Sequence, residues 1–166
     1  MRKQDLSQAA TESATDSDWR TFTLVGVALA VTQLAYYLTA AALPLYLRDL
    51  GAAPSRIGFE VGLGSIAGLA LTFLIGPALN RYAADVFLRL GGLVYLVAAT
   101  GMLVLRHEFS VALFRALQGM GTTILVPSAY TLGARLIPRR RGAALGIMGS
   151  VNNLALAIGP LIGLAL

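Results

Sequence analysis

Apolar residues in this chain come in long blocks. Five runs stand out, at residues 21–47, 57–79, 88–105, 110–137 and 143–166, separated by short segments that hold most of the charges. A helix needs about 20 mostly apolar residues to cross the hydrocarbon of a bilayer. Strands of a membrane barrel would be about 9–11 residues long and would alternate in polarity. These runs do not alternate, so they predict an all-α, polytopic membrane helix bundle over residues 21–166. Ahead of them, residues 1–20 are polar and mixed in charge, with Asp5, Glu12, Asp16 and Asp18 set against Arg2, Lys3 and Arg20. That segment has no apolar stretch ending at a small-residue cleavage site, so it is not a signal peptide. It is expected to be a mobile cytoplasmic tail, with Trp19 marking the membrane interface.

Composition narrows the class. The chain is 57% apolar and 13% charged over 166 residues, against about 45–50% and roughly 25% for a soluble domain. A soluble fold of this size cannot hide that excess, and disorder would need low hydrophobicity and high charge. Cysteine is absent and His107 is the lone histidine, so neither a disulfide framework nor a Cys- or His-based metal site is expected. No cofactor is implied. Nor is there a phosphate-binding loop, a Gly-x-Ser-x-Gly or a pair of histidines, and His107 sits in the Arg106-His107-Glu108 loop, so an enzyme is not expected.

The net charge of +5 raises the question of nucleic acid. The placement of the charges answers it, because they lie between apolar runs as in membrane loops. With the tail inside, the inner segments carry Arg2, Lys3, Arg20, Arg81, Arg89, Arg135, Arg139, Arg140 and Arg141, and the outer loops carry Arg48, Arg56 and Arg106. Nine against three predicts a cytoplasmic N-terminus in a bacterial inner membrane, and five spans put the C-terminus outside. The run Arg139-Arg140-Arg141 is a topology determinant touching anionic lipid, too short and too close to the membrane for nucleic acid. The last apolar run reaches Leu166 with no polar flank. The expectation drawn from this is a truncated piece of a longer chain, the alternative being a helix that simply ends at the outer interface.

Polar residues inside the runs are the candidates for chemistry. Arg115 lies about five residues into the fourth run, roughly 8 Å along a helix from its outer end. A cation there costs a few kcal/mol unless it is paired or wet. Gln118 and Thr122 follow at helical spacing on the same face, so Arg115 either looks into the bundle or snorkels to the interface. Gln33, Tyr36 and Tyr37 share a face of the first span, either lining a cavity or bonding between helices. Glu60 opens the second span and is either a partner for Arg115 or an interfacial charge. Asn152 and Asn153 are adjacent, so one of them can face inward well. Glycines fall four apart at Gly58/Gly62, Gly64/Gly68, Gly142/Gly146 and Gly159/Gly163, a spacing that lets helix backbones approach closely. Pro160 removes a helical hydrogen bond and can set a kink.

Three patches resemble the Major Facilitator Superfamily of secondary transporters. The loop Gly76-Pro-Ala-Leu-Asn80-Arg81-Tyr-Ala83-Ala84-Asp85 is similar to the family's Gly-x-x-x-Asp-Arg-x-Gly-x-basic-basic. Gly76 and Arg81 match, Asn80 replaces the Asp, and Ala83 replaces the Gly. In the family this loop acts as a charge clamp on the inner gate. Arg115-Ala-Leu-Gln118-Gly119-Met-Gly121 resembles Arg-x-x-Gln-Gly-x-Gly, whose arginine is implicated in proton coupling. Ala155-Leu-Ala-Ile-Gly159-Pro160-Leu-Ile-Gly163 resembles the Gly-x-x-x-Gly-Pro-x-x-Gly of drug:proton antiporters, with Ala155 for the first Gly. The resemblance implies the first five helices of an efflux transporter, a partial N-terminal half of the major facilitator fold. It implies a small-molecule substrate and a proton as partners. Arg115, Gln118 and Glu60 would be the proton-coupling candidates, Gln33 and Tyr37 cavity residues, Gly76, Asn80 and Arg81 the inner gate loop, and Gly159, Pro160 and Gly163 the mobile fifth helix. The competing reading is a non-transporting membrane fragment with a structural or partner-binding role.

Overall fold

The computed structural model describes the backbone of residues 3–49, 51–104 and 108–165, and the side chains of these ranges except those of 3–16, 108 and 109. Its helices are α1 (Lys3–Asp49), α2 (Pro54–Arg81), α3 (Ala84–Val104), α4 (Glu108–Leu136) and α5 (Arg141–Ala165), with a short 3₁₀ turn at Pro138–Arg140 between the last two. Arg106 and His107 lie outside the described residues, as do the ends of the third and fifth apolar runs at Leu105 and Leu166. No strand is present among the described residues. In a bilayer this is the expected solution, because a helix satisfies its own backbone groups.

The helix ends follow from local chemistry. At the end of α1, Ala52 N–H donates to Leu47 O at 3.0 Å and Gly51 N–H to Arg48 O at 2.9 Å. Gly51 takes φ 79°, the left-handed value that closes such a pair of bonds and that favours glycine. Pro54 then starts α2 from a position needing no N–H. Pro138 ends α4 and opens the 3₁₀ turn, where Arg140 N–H bonds Ile137 O at 3.1 Å. Helix α1 begins at Lys3 rather than at residue 21. The polar stretch holds no Gly or Pro, the two residues most unfavourable inside a helix. The boundary near residue 20 is therefore a change of composition along one continuous helix.

Among the described residues, four helical stretches are long and apolar enough to cross a membrane: Ser17–Asp49, Pro54–Arg81, Ala84–Val104 and Pro138–Ala165. The chain is an integral membrane protein. Helix α4, the fourth apolar run, lies at the centre of the bundle. It packs against α1, α2, α3 and α5, so much of its surface meets protein instead of lipid. Large exposed apolar side chains stud α2 (Phe59, Ile66, Leu69, Phe73), α3 (Leu93, Leu96) and α5 (Leu154, Leu161), whereas Leu113 is the sole one on α4 among the described residues.

The core is layered along the bundle axis. At the arginine-rich end, Phe22, Val25, Leu29, Leu125, Ala129 and Met148 form one apolar cluster, and Ile75, Leu79, Ala84 and Ile124 form another. Toward the opposite end, Leu43, Leu47 and Val111 form a third. Between these layers lie the buried polar side chains Gln33, Arg115, Gln118 and Thr122.

Candidate functional site

Helix α4 carries the centre of the polar layer. Arg115 is 2% exposed, so it turns into the bundle and does not snorkel. Its Nη1 donates to Gln118 Oε1 at 2.6 Å, and its guanidinium carbon lies 4.8 Å from the Tyr36 ring centroid on α1. Gln118 passes the interaction on, its Nε2 donating to Tyr95 Oη of α3 at 3.1 Å. The spacing of three residues between Arg115 and Gln118 places both on one helical face, which makes the first bond local. A hydrogen bond to a charged group contributes about 1.5–3 kcal/mol, and a desolvated cation–π contact about 2 kcal/mol. Together they offset much of the few kcal/mol that a cation at this depth costs. Arg115 Nε, however, is buried without a hydrogen-bond partner.

Glu60 is also buried, at 2% exposure. It does not pair with Arg115. Its Oε1 meets Arg56 Nε at 3.0 Å, one turn back on α2, because the i,i+4 partner is always within reach whereas a partner on α4 depends on rotation. Glu60 Oε2 has no hydrogen-bond partner. One turn further along α2, Gly64 sits directly on Arg115: a Cβ there would come 3.0 Å from Arg115 O and 3.4 Å from Arg115 Nε. Two groups of opposite charge, each with one unpartnered polar atom, thus occur on facing helices.

The face predicted on α1 divides. Gln33 Nε2 donates to Asn152 Oδ1 of α5 at 2.6 Å, and Gln33 Oε1 is left buried without a partner. Asn152 is half-buried and Asn153 exposed, so one asparagine of the pair faces inward. A cavity of about 360 Å³ between α1, α2 and α4 is lined by Gln33, Tyr36, Thr72, Gly76, Thr122 and Thr123, among others. Tyr36 lines this cavity in place of Tyr37. Tyr37 packs against α5, where a Cβ on Gly159 would stand 2.7 Å from its own Cβ. Successive helical residues point about 100° apart, so two adjacent tyrosines serve two different neighbours.

A family model described as Major Facilitator Superfamily matches residues 25–166. The chain belongs to the Major Facilitator Superfamily. Among curated relatives it is similar to Multidrug resistance protein 3 of Bacillus subtilis, at 26% identity over 145 residues, which is 86% of this chain and 28% of that protein. It is likewise similar to Quinolone resistance protein NorA of Staphylococcus aureus, at 27% identity over 123 residues, 73% of this chain and 31% of that one. The chain thus spans under a third of the length of these relatives. No solved structure matches it closely enough to count as a relative.

The remaining major facilitator motifs can be placed on this frame. Gly76 lines the cavity, and Asn80 and Arg81 are exposed at the end of α2. What ties that end of α2 to α4 is Arg135, whose Nη2 donates to Leu79 O at 3.1 Å. A cation there also complements the negative end of the α2 dipole. No major facilitator motif marks Arg135, which in the sequence is one more charge of the inner loops. Gly159 and Gly163 both face α1, at Tyr37 and Leu38, and Pro160 is half-buried between them. Tyr95 was also missed. Its signal is a lone tyrosine in the apolar third run, close to Gly91, where α3 and α4 touch backbone to backbone: Cβ atoms on Gly91 and Gly121 would stand 2.7 Å from Leu125 N and 2.8 Å from Tyr95 N.

Proposed function

We propose that these helices are the N-terminal part of a secondary transporter that exports a small molecule across the bacterial plasma membrane in exchange for protons, with the N-terminus in the cytoplasm. The observation that carries this reading is the buried cation beside the cavity: Arg115 at 2% exposure, with Nε unpartnered. A buried cation lowers the pKa of a carboxylate brought near it, so a change of distance becomes a change of proton affinity. Glu60, one turn before Gly64 on α2 and with one carboxylate oxygen unpartnered, is the carboxylate proposed for this role. Gln118 orients the guanidinium, and Gln33 and Tyr36 form part of the substrate wall. Gly76, Asn80 and Arg81 flank the inner gate. Gly159, Pro160 and Gly163 let α5 rock against α1, as expected where inverted repeats move about a central site. The resistance functions named for the two relatives support export over uptake.

The test is transport in liposomes under an imposed pH gradient, using a transporter that contains these five helices. Arg115→Ala should abolish gradient-driven export and leave membrane insertion intact. Undiminished export in that variant removes the coupling role.

A further inference from the structure

The arginine-rich end holds a second feature that the transport reading does not use. A groove of about 520 Å³ lies between α1 and the α4–α5 turn, lined by Asp18, Trp19, Leu136, Ile137, Arg139 and Arg140 together with Pro138. Its floor is apolar and fixed: Ile137 is buried, and the Trp19 ring packs edge-on against buried Phe22 at 5.6 Å between centroids. Its rim is cationic. Arg139 and Arg140 are exposed and form no ion pair among the described residues, so two guanidiniums face a groove that holds one carboxylate, Asp18. Its level follows from the sequence: the apolar run 21–47 begins just after Asp18 and Trp19, the run 110–137 ends at the groove, and Arg139, Arg140 and Arg141 stand before the next run. The groove therefore lies where hydrocarbon gives way to headgroups. On the other side of the same turn, a smaller groove of about 350 Å³ is bordered by Arg135, Arg141 and Tyr130.

We propose that the larger groove is a binding site for an anionic phospholipid of the phosphatidylglycerol type. The guanidinium fork matches a phosphate in two-point geometry. Leu136, Ile137 and Trp19 take the first part of the acyl chains, which is where an interfacial tryptophan is stable. Asp18 accepts a hydrogen bond from a headgroup hydroxyl, which a choline headgroup cannot offer. The bound lipid would staple the start of the α1 span to the α4–α5 turn. A soluble phosphate compound would use the rim and leave the apolar floor uncovered.

Trp19 is the chain's single tryptophan; it borders this groove and a neighbouring one lined by Arg20, Thr23 and Leu24, so the part of its signal that depends on Arg139 and Arg140 reports on this groove. The purified chain is placed in phosphatidylcholine nanodiscs holding a minor fraction of lipid spin-labelled near the headgroup. Two cationic side chains at a membrane surface favour an anionic lipid roughly ten- to thirtyfold. Labelled phosphatidylglycerol should therefore quench Trp19 at about a tenth of the concentration required for labelled phosphatidylcholine. The R139Q/R140Q double variant should abolish that difference, and Arg48→Gln at the opposite end should preserve it. An unchanged Trp19 emission maximum in pure phosphatidylcholine shows that the double variant keeps its fold. Equal quenching by the two labelled lipids, or by labelled phosphatidylethanolamine as strongly as by phosphatidylglycerol, overturns the assignment. So does an undiminished preference in the double variant. Relief of quenching by soluble glycerol phosphate at matched concentration would give the groove to a free phosphate compound and also overturn it.

Discussion

The contact between α2 and α4 and the contact between α1 and α5 are both built on two glycines four residues apart, Gly64/Gly68 in the first and Gly159/Gly163 in the second. In the first, the glycines receive another glycine. A Cβ on Gly119 would overlap the carbonyl of Gly64, and one on Gly68 would stand 3.2 Å from Gly119 O. In the second, they receive the backbone of α1 around Leu34 and Leu38. The loads differ. The α2/α4 contact lies against the buried cation Arg115, whereas the α1/α5 contact carries the neutral Gln33–Asn152 amide pair. The surroundings differ too. Helix α4 is packed on all sides by other helices, and α5 chiefly by α1. Close backbone approach is thus used once beside a buried charge and once beside a neutral amide pair.

This contrast predicts a ranking. Gly119→Leu should be the most damaging change, costing about 3 kcal/mol or more or preventing bundle formation, because neither backbone can retreat. Gly163→Leu should cost less, about 1–3 kcal/mol, as α5 can swing outward. Thermal unfolding of the purified chain in detergent gives both values, and a reversed order would break the distinction. Next comes the amide pair. A double-mutant cycle with Gln33→Leu and Asn152→Leu should return a coupling of about 0.6 kcal/mol, the usual size for hydrogen bonds between membrane helices. The smallest effects belong to Gly58→Ala and Gly142→Ala. A Cβ at either meets nothing within 4 Å, so each should be neutral or stabilise the helix by up to about 1 kcal/mol. A loss of stability there would mean that some partner covers those faces.

That last case marks the limit of what sequence spacing could say. Four glycine pairs have the same spacing, yet Gly58/Gly62 and Gly142/Gly146 face open space. Spacing defines a stripe on one helix, and whether a second helix meets that stripe depends on rotation and order in the bundle. Arg115 and Gln118 were legible for the opposite reason, since their bond is made within one helix turn. Tyr95 and Arg135 act across helices, and nothing local marks them. Tyr36 and Tyr37 were grouped on one face of α1, and one residue's rotation sends Tyr36 to the cavity and Tyr37 to α5. The five helices themselves were plain from the apolar runs. The centrality of α4 was not, although its threonines and the Arg115-Gln118 pair are the trace it leaves in composition.

That centrality bears on how the protein is made. A helix with an arginine roughly 8 Å inside its outer end partitions less well from the insertion machinery into lipid, by at most what arginine costs at a helix centre, about 2.5–3.5 kcal/mol. Helix α4 leaves the ribosome after α1, α2 and α3, so the walls of its slot, including Gly64, Gly91 and Tyr36, are already synthesised when it arrives. Chain order makes the earlier helices chaperones for the later one. Fused alone to a reporter, α4 should integrate inefficiently, and placing α1–α3 ahead of it should raise that efficiency severalfold. Equal integration in both settings would show that α4 enters lipid unaided.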